Sequence, residues 1–107
     1  MESLLDAIQA EVRKRDYRFT LHAGDRMTKR HISVDEVKEV ILSNNAEIIE
    51  DYPEDTRGPS CLILGMASNG RPLHVQCSYP PNVAIITAYE PELGEWLDLR
   101  TRKGRRP

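Results

Sequence analysis

Leu4, Leu5, Ile8 and Val12 recur at i, i+1, i+4 and i+8, a period that predicts a first amphipathic helix ending near Asp16. Tyr17-Arg18-Phe19-Thr20-Leu21 then reads as a short strand or extended lead-in to a second, short helix from about His22 to Arg30. Ser33 opens a third helix as N-cap. Glu36, three residues on, completes a capping box, and Asp35 suits the positive end of the helix dipole. The apolar face of this helix is Val34, Val37, Val40 and Ile41, and Asn44-Asn45 offers a left-handed stop.

From Ala46 the period changes to two. Ala46–Tyr52 reads as a strand closed by Pro53, and a polar turn runs through Gly58-Pro59. Ser60–Ala67 and Pro72–Tyr79 flank Asn69-Gly70, the strongest turn signal in the chain. A two-residue turn there sets Ser68 opposite Arg71 and Cys61 opposite Ser78. In that register Leu62, Leu64 and Met66 share a face with Leu73, Val75, Cys77 and Tyr79. Cys61, Ile63, Gly65 and Ala67 then share the other face with His74, Gln76 and Ser78. The two cysteines point apart, which disfavours a disulfide, although a slip of one residue reverses this. Val83–Tyr89 is apolar on both faces, as in a central strand. Glu90-Pro91 ends it, and Pro91–Leu99, carrying Trp96, can form a last helix. The expected fold is α+β: N-terminal helices on one face of a four-stranded antiparallel meander, then a short C-terminal helix. Residues 1–99 form one domain, and residues 100–107 a disordered basic tail. The second sheet face, bearing His74 and Gln76, is left open to a ligand.

Composition narrows the class. With 107 residues, 39% hydrophobic and 30% charged, the chain suits a single folded domain rather than a disordered one. No apolar run approaches the ~20 residues of a membrane span, and Met1-Glu2-Ser3 does not open a secretory signal, so a cytoplasmic location is the default expectation. The cysteines form no CxxC motif, so neither a zinc site nor a cofactor is expected. Net charge is −2, but Arg100–Pro107 holds five positive charges, which leaves residues 1–99 at −7 (−2 less five). Acids gather at Glu47, Glu50, Asp51, Glu54 and Asp55, whereas Glu11–His31 holds seven Lys/Arg against three Asp/Glu. This balance permits nucleic-acid contact without predicting it; solvated faces and a solubilising tail fit equally.

The candidate chemistry starts with His22, Arg26 and Arg30, which recur every four residues and line one face of the second helix. Like charges at this spacing repel, and an anion over the stripe relieves that repulsion. Alternatively, Arg26 and Arg30 pair with the acids of Glu50–Asp55, and Arg26 with Asp25 or Glu36. His22 has a second role open to it, in a backbone hydrogen bond at the helix start. Tyr89, on a central strand, is more often a core residue than a catalytic one, and His31 in the interhelical turn takes no role.

Phe19-Thr20-Leu21-His22-Ala23, with Arg26 and Arg30-His31-Ile32-Ser33, resembles the opening of the bacterial family of domains of unknown function 4258. Glu50-Asp51-Tyr52-Pro53, Pro59-Ser60-Cys61-Leu62, Gly70-Arg71-Pro72-Leu73-His74-Val75 and Ile86-Thr87-Ala88-Tyr89-Glu90-Pro91 resemble its later segments, in order, across roughly residues 17–99. That family is similar to the barnase–colicin–RelE superfamily of ribonuclease folds. The resemblance implies a RelE-like fold and RNA cleavage without a metal, by attack of a ribose 2′-OH on the adjacent phosphate. It implies the toxin of a bacterial type II toxin–antitoxin pair, with RNA and a cognate antitoxin as partners and no membrane association. Such chemistry needs a base, cations and an acid, which His22, Arg26 and His74 would supply, with Tyr89 orienting phosphate or stacking on a base. Arg30 and Gln76 would bind substrate. On this expectation His74→Ala abolishes cleavage at an unchanged melting temperature. The acidic body departs from basic toxin relatives and weakens non-specific RNA affinity. The alternative is a non-enzymatic RNA- or protein-binding module on the same fold; no oligomeric state is implied.

Overall fold

The capping box expected at Ser33 forms, and the first helix carries another that was not expected. Ser33 and Glu36 close a reciprocal capping box on a helix, and Ser3 with Asp6 closes a second on the first helix. The computed structural model describes residues 2–92 and 98–101. Among these, the elements in chain order are α1 (Leu4–Arg13), β1 (Tyr17–Phe19), α2 (Leu21–Arg30), α3 (Val34–Leu42), β2 (Glu47–Tyr52), β3 (Ser60–Met66), β4 (Pro72–Ser78) and β5 (Val83–Tyr89). Of the helix expected over Pro91–Leu99, residues 93–97 with Trp96 lie outside the described residues, and residues 91–92 and 98–99 are not helical; the tail beyond Thr101 also lies outside them.

The α+β class stands, but the sheet is five-stranded and mixed, in the order β1-β5-β4-β3-β2. The fifth strand is the Tyr17–Phe19 lead-in, which pairs parallel to β5 through Tyr17 with Val83 and Phe19 with Ile85. Its distance in sequence from β5 hides that pairing from any local pattern. The meander β2–β5 is antiparallel throughout, as expected.

Helix ends depart from the expected stops. The first helix ends at Arg13, with Arg15 in the left-handed region (φ 62°). Asp16 N–H then reaches Glu11 O at 2.9 Å and Arg15 N–H reaches Val12 O at 3.0 Å, a Schellman closure without glycine. α2 closes the same way on His31 (φ 56°), with Ile32 N–H on Met27 O at 2.9 Å and both side chains buried. The left-handed stop expected at Asn44-Asn45 does not form, because Ser43 leaves α3 in an extended conformation. Val34 is half exposed at 52%; only Val37, Val40 and Ile41 carry the buried face.

The hairpin register is shifted by one residue from expectation. Gly70 sits at φ 86° and its N–H bonds Ala67 O, while Ala67 N–H bonds Arg71 O, both at 2.9 Å. Ser68-Asn69-Gly70 is therefore a three-residue loop closed by a left-handed glycine, not a two-residue turn. Cys61 now faces Cys77, Leu62 faces Gln76 and Leu64 faces His74. The cysteines thus lie side by side, buried and unbridged, in the helix-facing core. A hydrogen bond with Cys61, reinforced by burial, pushes the Cys77 thiol well above its ordinary value. Leu62, Leu64 and Met66 consequently share the face of His74 and Gln76. Cys61, Ile63 and Ala67 join Leu73, Val75 and Cys77 under the helices.

α3 packs over β3 and β4, and α1 packs against α3 and β5. The approach is closest at Gly65, where a Cβ would stand 2.3 Å from Val40 O. Gly24, inside α2, has no atom within 4 Å of such a position. The two glycines therefore predict opposite outcomes. Gly65→Ala should cost about 1–3 kcal/mol through overpacking against backbone, and Gly24→Ala should gain about 0.5–1 kcal/mol of helix propensity. Urea unfolding of the two variants beside the parent checks both signs.

Candidate functional site

The face of the sheet turned away from α1 and α3 is built from cross-strand rows. Glu50, Leu62, Gln76 and Thr87 are successive partners across β2, β3, β4 and β5, and Glu47, Leu64, His74 and Tyr89 form a parallel row. Thr87 and Tyr89 reach this face because β5 carries a bulge between Ile85, opposite Cys77, and Thr87, opposite Gln76. The extra residue reverses the alternation of the strand.

α2 forms the wall beside these rows. β1 covers β5 only as far as Ile85, and α2 packs against β5 beyond it. Thr20, the N-cap, anchors the start of the helix: its N–H reaches Ile85 O and its hydroxyl caps Ala23 N–H, both at 3.0 Å. At the other end Arg30 Nη1 donates to Ala88 O at 2.9 Å and approaches Thr87 Oγ1 at 3.4 Å. Its guanidinium lies 5.8 Å from the Tyr89 ring centroid, within cation–π range. Arg30 therefore pairs with neutral acceptors and a ring, not with the acids of Glu50–Asp55. Arg26, midway along the helix, is exposed and has no ion pair with another described residue.

Two hollows adjoin over the Glu50–Thr87 row. One, of about 530 Å³, is lined by Arg30, Tyr52, Arg71, Gln76, Thr87 and Tyr89 among others. The second, of about 500 Å³, is lined by His22, Asp55, Arg57, Ser60, Gln76 and Thr87 among others. Gln76 and Thr87 border both, so the two make one groove, with Arg30 lining one hollow and His22 the other; Arg26 lines neither. Gln76 Nε2 donates to Ser60 Oγ at 3.1 Å, which leaves the amide oxygen as an acceptor.

His74 lies beneath this groove, fully buried, and lines neither hollow. Its Nε2 meets Leu99 O at 2.6 Å; a carbonyl only accepts, so Nε2 carries a proton. Nδ1 stands 3.4 Å from the Tyr89 hydroxyl, and the two rings meet edge to face at 5.3 Å. In the neutral tautomer Tyr89 donates to Nδ1. Residues 98–101 cross the sheet here, with Arg100 Nε on Glu47 at 2.5 Å. The face expected to be open at His74 is thus covered. His22 and His74 do not meet: His22 belongs to the Ile85 end of β5 and His74 to the Tyr89 end, four residues or roughly 13 Å apart along a strand.

Four groove residues carried no signal of their own in the sequence: Tyr52, Arg57, Arg71 and Glu90. In the sequence Arg71 is expected only as the partner of Ser68 across the hairpin turn. It instead pairs with Glu90 at 2.7 Å and Glu36 at 3.4 Å. Arg57 lies 3.5 Å from Asp55. The acids so pair with Arg71 and Arg57, while Arg26 and Arg30 form no ion pair among the described residues. No three His, Cys, Asp or Glu side chains among the described residues converge as a metal site, and no helix is long and apolar enough to cross a membrane.

The arrangement defines a small α+β domain with a polar, two-hollow groove along one cationic helix. The model of a family described as a domain of unknown function, DUF4258, matches residues 19–90, and the chain belongs to that family. No curated protein and no solved structure matches it.

Glu36 ties the groove's far end to the helices. The Ser33 N–H, with Asn69 and Arg71 behind it, holds its carboxyl below the ordinary value of 4.5. A carboxylate depressed in the folded state stabilises above its unfolded pKa, and that contribution is lost as pH falls through the depressed one. Thermal melts at pH 7 and pH 3 should therefore show a smaller drop for Glu36→Gln than for the parent. The variant should start from a lower midpoint at pH 7.

Proposed function

We propose that the chain is a metal-independent endoribonuclease that takes single-stranded RNA along the groove, and that it is the toxin of a bacterial toxin–antitoxin pair. The observation that supports this reading is the pairing of an exposed His22 in one hollow with Arg30, which has no ion pair among the described residues, in the other, on a helix that also carries Arg26. Phosphates would lie against Arg26 and Arg30, and Tyr89 would offer a ring face for a base. The biological class follows from the resemblance to RelE-like toxins.

In this reading His22 takes the proton of a ribose 2′-OH, and the 2′-oxygen attacks the adjacent phosphorus. The P–O5′ bond breaks, leaving a 2′,3′-cyclic phosphate, and the departing 5′-oxygen takes a proton from His22 or water. Arg26 and Arg30 neutralise the charge gathering on the phosphoryl oxygens. His74 moves from proton carrier to support: it holds the Tyr89 hydroxyl from below. His74→Ala should accordingly lower the melting temperature, because it strips a buried ring from two partners; the unchanged stability expected from sequence does not fit a buried group.

A second reading, RNA binding without cleavage, is favoured by the burial of His74, which leaves the groove one accessible histidine. An assay in EDTA with 5′-labelled single-stranded RNA separates the two. Cleavage with cyclic-phosphate ends should fall by about 10²–10⁴-fold in His22→Ala, and Arg30→Ala should weaken binding. Binding without products would establish the second reading, and neither binding nor products would sink both.

A further inference from the structure

The groove's cationic stripe ends at Arg30, and a second arginine determines where that end sits. Arg71 Nη2 donates to Arg30 O at 3.1 Å and Nη1 donates to His31 O at 2.9 Å. These are carbonyls of the last turn of α2, where the helix leaves acceptors without intrahelical donors and its dipole favours a cation. Nε of the same guanidinium donates to Glu90 at 2.7 Å, and Nη1 meets Glu36 Oε2 at 3.4 Å. Glu36 belongs to the first turn of α3, and Glu90 follows Tyr89. One planar group thus joins the end of α2, the start of α3 and the end of β5 across the mouth of the hairpin.

We infer that Arg71 is the positioning residue of the groove: it fixes the last turn of α2 against the end of β5 and so holds the Arg30 guanidinium over Tyr89. Two carboxylates neutralise its own charge, so it acts on an anion through Arg30. The Arg30 side chain reaches Ala88 O while the Arg30 carbonyl is held by Arg71, so both ends of that residue are referred to the same stretch of β5. A lysine cannot replace it, because three divergent directions require the flat guanidinium fork, and an ammonium on a flexible stem lacks that geometry.

The test uses Arg71→Lys in the full chain and two readouts. First, the Tyr89 ring current should displace the Arg30 side-chain proton resonances upfield in the parent; Arg30→Lys assigns them. In Arg71→Lys, below its melting midpoint, they should return to the positions of an exposed arginine. Unmoved resonances overturn the inference and leave Arg71 a structural tie. Should Arg71→Lys not fold, Glu90→Ala removes one anchor and keeps the helix contacts; a partial return of the same resonances is expected, and none overturns the inference. Second, affinity for a short fluorescein-labelled single-stranded RNA rests on the ribonuclease reading. Arg30→Ala should weaken binding about tenfold in the parent and less than about twofold beside Arg71→Lys, because the two residues act as one unit. Additive losses would overturn the coupling. A parent that binds no RNA would sink the functional reading, and the resonances would still decide the role of Arg71.

Discussion

The three-residue loop Ser68–Gly70 holds the β3–β4 hairpin in register, and most of the molecule's surface chemistry follows from it. Because side chains alternate along a strand, one residue of register decides which set meets the helices. Gly70 at φ 86° supplies the left-handed residue that a three-residue loop requires, at no cost to a side chain. With that loop closed, Cys61, Ile63 and Gly65 lie under α3, and Gly65 alone allows the backbone of Val40 to come so near. Leu62, Leu64, His74 and Gln76 take the other face. Leu62 and Gln76 become groove floor, and Leu64 and His74 lie in the neighbouring row.

A second constraint comes from the brevity of β1. Three residues pair with Val83–Ile85, and among the described residues no strand lies beside the outer edge of β5 beyond them. A bare edge is a liability in any sheet. Here α2 packs against it, and Arg30 satisfies the carbonyl of Ala88. The cationic stripe therefore borders the groove because a helix does the work of an edge strand. The bulge after Ile85 contributes by turning Thr87 and Tyr89 toward the same groove.

Charge in this site is arranged more by pairing than by amount. The body is acidic, and several of its carboxylates near the groove are engaged: Glu36 and Glu90 on Arg71, Asp55 on Arg57. Arg30 is held by a carbonyl, a hydroxyl and a ring, none of which cancels its charge. The lining charges of the groove balance, with Arg30 and Arg71 against Glu90 and Glu92 in one hollow and Arg57 against Asp55 in the other, so what distinguishes Arg30 is its pairing and not an excess of positive charge.

What the sequence determined alone is what short-range chemistry controls. The capping box of Ser33, the α2 stripe and the alternation of β4 all depend on neighbours a few residues away. So does the placing of His74 and Gln76 on one face and Val75 and Cys77 on the other. The order of β2–β5 was legible because adjacent strands joined by turns pair with each other. Tertiary structure decided whatever depends on a partner far along the chain. The pairing of Tyr17–Phe19 with β5 spans more than sixty residues of sequence. The role of Arg71 exists only where α2, α3 and β5 meet, and residues 98–101 bury His74 by crossing from outside the sheet. The hairpin register lay between the two kinds of evidence: both candidate loops contain Asn69-Gly70, and both put apolar residues on each face of β3. Only packing against α3, which admits Gly65 and little else beside Val40, separates them.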